Sequence, residues 1–154
     1  MTDQTTESIS NIVQRFAARP EMLVQILQAV VQTHGWISED TKKQLASDLN
    51  LSRADVHGVV EYYHDFRTEK PGKHIVKICQ AEACQAMGSR ALTSHAQASL
   101  GAEMHSTNDA ITLEPVYCLG NCACAPAIMI DGKTHGRVNA GRFDELIGVL
   151  KEAD

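Results

Sequence analysis

Five cysteines crowded between positions 79 and 124 constrain this chain more than any other feature. The first two are spaced C-x4-C (Cys79, Cys84), and after 33 intervening residues come two spaced C-x3-C (Cys118, Cys122), with Cys124 two positions later. Such thiols are either oxidised to disulfides or used to hold metal, and the cellular compartment decides which. The chain opens MTDQTTESIS, which is polar and lacks the basic-then-apolar order of a secretion signal. It contains no apolar run near the length of about 18 residues that marks a membrane span. A cytoplasmic chain without membrane insertion is expected, and there thiols stay reduced and serve as ligands.

The 154 residues suffice for one ordinary domain plus a helical extension. The net charge of -5 counts against a nucleic-acid partner, whose phosphates are met by Lys and Arg. All cysteines fall after Pro71-Gly72, a strong turn signal, so the predicted boundary lies there: a helical bundle over 1–70 and a cysteine-bearing α/β domain over 71–154.

In the first segment, Met22, Leu23, Ile26, Leu27, Val30 and Val31 recur at helical spacing, which predicts a helix over about 21–34 ending at Gly35. Ser38 and Ser52 are placed to cap two more helices, the second with Asp55 in a capping-box position. In the second segment, HIVKIC (74–79) reads as a buried strand and 82–99 as a helix with Met87, Ala91, Leu92 and Ala96 on one face. Residues 111–117 and 127–130 read as strands, and Asp131-Gly132 as a hairpin turn. Phe143, Leu146, Ile147 and Leu150 mark a last helix. Mobility is expected only at the extreme ends.

Each cysteine pair therefore sits on a loop that follows a strand. If the two strands end side by side, four thiolates meet at one sheet edge. Four cysteines are the usual ligand set of a 2Fe-2S cluster, two to each iron, and the loop residues are mostly small or polar, with Gly120 able to bring main-chain N–H groups to sulfur. Zinc is the main competing reading, but four-cysteine zinc loops favour C-x2-C pairs, and neither pair has that spacing. Spacing barely distinguishes Cys122 from Cys124 as the fourth ligand, and a small packed thiol is the plain alternative for Cys124. The seven histidines are scattered, and Met87 and Tyr62-Tyr63 fit core or interface positions. Without a glycine-rich phosphate loop the chain shows no site for NAD, FMN or molybdopterin, and a lone one-electron centre serves a partner.

HGWIS (34–38), VHGVVEYYHDFR (56–67), ICQAEACQAMGS and EPVYCLGNCACAPAIMIDG together resemble the thioredoxin-like 2Fe-2S ferredoxin subunits of respiratory complex I, NAD-linked hydrogenases and NAD-dependent formate dehydrogenases. The resemblance implies a thioredoxin-like domain behind a helical bundle, with one 2Fe-2S cluster on Cys79, Cys84, Cys118 and Cys122. Members from complex I and hydrogenases usually resemble C-x-G-T-x-C in the first loop, from which CQAEAC departs. AEACQAMG is similar instead to the gamma subunit of molybdenum- or tungsten-containing, NAD-dependent formate dehydrogenases. That similarity implies a formate-oxidising alpha subunit and a flavin- and NAD-binding beta subunit as partners, with FMN, NAD and molybdopterin held only there.

Overall fold

The structure, a computed structural model, describes residues 7–108 and 110–153. The mobility expected at the extreme ends concerns residues mostly outside that range. The chain divides into two compact units, 1–70 and 71–154.

The first unit is helical: α1 (Ile9–Arg15), a 3-10 turn (Pro20–Met22), α2 (Leu23–His34), α3 (Glu39–Asp48) and α4 (Arg53–Tyr62). Pro20 opens the turn that leads into α2, and Gly35, with φ 81°, closes α2. The Ser38 hydroxyl accepts the Thr41 N–H, and Ser52 forms the full capping box with Asp55. Sequence periodicity missed α1, because two turns are too short to establish a period. It is held by its Ser8 cap and by burial of Ile12 and Val13 among Leu23, Ile26, Leu27, Leu45, Val56 and Val60. Lys42 is 5% exposed, and its ammonium lies 2.6 Å from Glu39 and 3.4 Å from His57 Nδ1.

The second unit is one five-stranded sheet of order β2-β3-β1-β4-β5: β1 (His74–Cys79), β2 (Ser106–Thr107), β3 (Ile111–Val116), β4 (Ile128–Ile130) and β5 (Lys133–His135). Strands β1 and β3 are parallel, and the other pairs are antiparallel. The helices are α5 (Glu82–Ala86), α6 (Ser89–Leu100) and α7 (Ala140–Ala153). Val76 and Ile78, with Leu113, Ile128 and Ile130 at neighbouring register positions, form one buried cluster with Leu92 and Ala96 of α6 and Phe143 and Ile147 of α7. A one-residue slip of β1 would turn Val76 and Ile78 out of that cluster, at roughly 1.5–3 kcal/mol each. The register that carries Cys79 is thereby set by the core.

The single helix expected over 82–99 is two helices. Gly88 stands between α5 and α6 with φ 99°, a conformation that glycine adopts without steric cost, and the chain turns there. The two-residue β2 and the return strand β5 (Lys-Thr-His) offer too little apolar alternation to be legible beforehand. Asp131 and Gly132 make the hairpin turn with positive φ at both positions, as a type I′ turn requires. Among the described residues, no helix is long and apolar enough to cross a membrane.

Candidate metal centre

Cys79 is the last residue of β1 and lies opposite Val116, the last residue of β3. The two strands run the same way, so the loops carrying Cys84 and Cys118 leave the sheet at the same edge. The strand ends are tied together beyond the ladder: the Gln80 N–H donates to the Val116 carbonyl at 2.8 Å, and the Cys79 N–H to the Ala127 carbonyl at 3.1 Å.

The first loop is short and stiff. Gln85 donates through its side chain to the Gln80 carbonyl at 2.6 Å, which closes the start of α5. The fully buried Ser89 donates its hydroxyl to the Cys79 carbonyl. Cys79 and Cys84 are each 2% exposed and pack with Ala125 and Ala127, against Ala81, Val116 and Leu119. Burial pushes the Cys84 thiol up; the Ala127 N–H bonded to its sulfur works the other way, and the neighbouring thiols of Cys79 and Cys122 raise it further. Leu119 of the second loop packs against this buried pair.

That second loop is open to solvent. Cys118 and Cys122 are exposed and Cys124 is half-buried. Gly120 takes φ 68° and sends its N–H to Cys118 Sγ at 3.3 Å, a close approach of main chain to sulfur that the left-handed glycine permits. A 3-10 turn over Cys122–Cys124 follows, closed by the Cys124 N–H on the Asn121 carbonyl at 3.0 Å. The next peptide, Ala125–Pro126, is cis, a state that sequence alone does not decide.

All five cysteines are free thiols. Among the described residues, no three His, Cys, Asp or Glu side chains are gathered tightly enough for one metal ion. The site offers two thiols on each of two adjacent loops, a dry inner pair and a solvent-facing outer pair, with the Gly120 N–H on the sulfur of Cys118. This donor set suits a cluster held from two sides. Sequence spacing found the cysteines but missed Ala127 and Ser89, since a backbone donor and a buried hydroxyl leave no trace in a motif. Met87, Tyr62 and Tyr63 are exposed, so of the two roles expected for them the core is excluded.

An α/β domain with paired thiols on neighbouring loops of one sheet edge is the architecture of an iron–sulfur carrier. Residues 9–151 match the description thioredoxin-like 2Fe-2S ferredoxin, and the chain belongs to that family, whose members carry one 2Fe-2S cluster. It is 32% identical to a NADH-quinone oxidoreductase subunit of Pseudomonas aeruginosa over 126 residues, 80% of this chain and 76% of the relative. It is 29% identical to a NADH-quinone oxidoreductase subunit of Rhizobium meliloti, covering 96% of this chain and 89% of that one. The fold superposes on an NAD+-reducing NiFe-hydrogenase in the H2-reduced state with a TM-score of 0.73 at 23% identity, over 85% of this chain. The chain spans 22% of the length of that hydrogenase chain.

Proposed function

We propose that this chain is the electron-transfer subunit of a cytoplasmic NAD-dependent formate dehydrogenase and that Cys79, Cys84, Cys118 and Cys122 hold its 2Fe-2S cluster. The observation that carries the ligand choice is the pairing of Cys79 with Val116, which delivers both cysteine loops to one edge. When bound, the cluster supplies one-electron chemistry. The chain's own residues do the rest. Cys79 and Cys84 grip from the core side, where Ala125 and Ala127 exclude water. Gly120 and Ala127 direct N–H groups at sulfur, which stabilises negative charge there and raises the reduction potential. Cys118 and Cys122 are exposed and would hold the cluster on the side open to a partner's flavin.

The choice of parent enzyme rests on the first loop, Cys79-Gln80-Ala81-Glu82-Ala83-Cys84, and its similarity to the formate dehydrogenase gamma subunit. The partners on this reading are a flavin- and NAD-binding beta subunit and a formate-oxidising alpha subunit. The 32% identity to a subunit of NADH-quinone oxidoreductase favours a second reading, the equivalent position in a respiratory complex. Two measurements separate the possibilities. Purified chain should contain two irons and two acid-labile sulfides; stoichiometric zinc in a colourless protein would sink the cluster. Affinity capture from the native cell should bring down subunits that reduce NAD with formate, whereas capture of a quinone-reducing complex selects the second reading.

A further inference from the structure

The segment between β5 and α7 lies against the second cysteine loop. The Arg137 N–H donates to the Cys124 carbonyl at 2.6 Å, and the Val138 N–H to the Pro126 carbonyl at 3.0 Å. Between β5 and those two bonds stands Gly136. A Cβ built there would meet Cys124 Cβ at 2.6 Å, the Asn121 side-chain nitrogen at 2.8 Å and the Cys124 carbonyl oxygen at 2.9 Å. Contacts below about 3 Å are not tolerated between packed atoms, so a side chain at this position must displace the loop or itself. Gly136 is not among the residues of positive φ, so a left-handed backbone is not what calls for glycine there. What demands glycine is contact with the 3-10 turn that begins at Cys122.

We infer that Gly136, Arg137 and Val138 form a latch that sets where Cys122 stands, with Gly136 as its positioning residue. The inference rests on the 2Fe-2S reading above. Two main-chain bonds hold the loop from behind, at Cys124 and Pro126, and the bare Cα of Gly136 fixes how closely the turn approaches. Because the turn is only three residues long, a displacement at Cys124 is transmitted to Cys122 rather than absorbed. Groups behind the ligands of a metal site commonly contribute 10–100-fold to metal retention, and they set its electronic properties through ligand orientation.

The test uses the full chain with its cluster reconstituted. Gly136→Ala should release iron to a chelator about tenfold faster than the parent, with altered g values and a shifted midpoint potential in the reduced protein. Gly141→Ala is the control, since its Cβ would find only Asn139 Oδ1 at 3.7 Å, and it should match the parent. The double change Gly136→Ala with Cys124→Gly removes the tightest of the three opposing contacts, the Cys124 Cβ, while the Cys124 carbonyl and the Asn121 side chain stay, and should move retention and g values part of the way back toward the parent. Cys124→Gly alone should keep the cluster. Unchanged EPR, potential and retention in Gly136→Ala would overturn the latch. So would a double variant no better than the single one, including the case in which Gly136→Ala fails to fold. Parent protein without a 2Fe-2S spectrum would instead remove the reading on which the latch rests, an outcome visible before any variant is made.

Discussion

Cys79 and Val116 face each other on the last rung of the parallel pair β1 and β3, so the chain leaves both strands at the same edge of the sheet. The relationship makes the two cysteine pairs neighbours, and it also makes them unequal. Cys79 ends a strand whose Val76 and Ile78 are packed in one cluster with residues of α6 and α7, whereas Cys118 lies two residues past the end of β3, in solvent.

That inequality is measurable in the metal-free protein. Iodoacetamide should alkylate Cys118 and Cys122 first, Cys124 more slowly, and Cys79 and Cys84 last. Burial limits access to the inner pair and also pushes the Cys84 thiol up, so less of the reactive thiolate is present near neutral pH. Peptide mapping along a time course reads the order. Equal labelling of all five would contradict the buried inner pair.

In the helical unit, Ser52→Ala should cost about 1 kcal/mol, because it removes the cap of α4. The Ser52 hydroxyl accepts the Asp55 N–H at 3.1 Å and donates to Asp55 Oδ2 at 2.7 Å, while the Ser52 N–H reaches the same oxygen at 3.1 Å. These bonds from Ser52 hold the Asp55 carboxyl below its ordinary value of 3.8. A carboxyl lowered on folding stabilises above its unfolded pKa, and that contribution is lost as pH falls through the folded value. Urea titrations should therefore find the variant less stable at neutral pH, with a smaller further loss on acidification below about pH 4. Identical midpoints for parent and variant would show that the cap contributes nothing.

Much of this arrangement was legible because apolar pattern and packing agree. HIVKIC read as a strand ending at Cys79, and the core of Val76, Ile78, Leu113 and Ile128 enforces that register. Ser38, Ser52 and Gly35 announced helix ends through local hydrogen bonding and backbone conformation, which act over three or four residues and so survive in sequence. The missed features are short or long-range. Helix α1 has two turns, β2 two residues, and the break at Gly88 interrupts a helical period that otherwise runs on. The close approach of Gly136 to Cys124 joins residues twelve apart through the Cys124 Cβ and carbonyl, and no spacing rule encodes it.

His135, at the end of β5, is held below its ordinary value of 6.5 chiefly by burial, with Lys133 and Arg142 adding positive charge nearby. As pH falls through about 6.5 the unfolded chain takes up a proton that the folded chain resists, so stability declines on the acid side. His135→Gln removes that difference. Denaturation midpoints at pH 7.5 and 5.5 should differ less for the variant than for the parent. A variant with the parent's full acid loss would assign the loss to other groups.

The fourth ligand decides between Cys122 and Cys124, which stand in one 3-10 turn. Cys122 is exposed, whereas Cys124 turns its Cβ toward Gly136 and gives its carbonyl to the Arg137 N–H. On the reading proposed above, Cys124 is a packed structural residue and Cys122 is the ligand. Cys124→Ser should accordingly leave iron content and the EPR signal of the reduced protein unchanged. Cys122→Ser should lose the cluster, or hold it through oxygen with shifted g values and a lower midpoint potential, since alkoxide is a harder and more basic donor than thiolate. The reverse pattern, with Cys124→Ser losing the signal and Cys122→Ser keeping it, would transfer the ligand role to Cys124. In that event the second pair becomes C-x5-C, and the contact between Gly136 and Cys124 becomes a contact with the ligand itself.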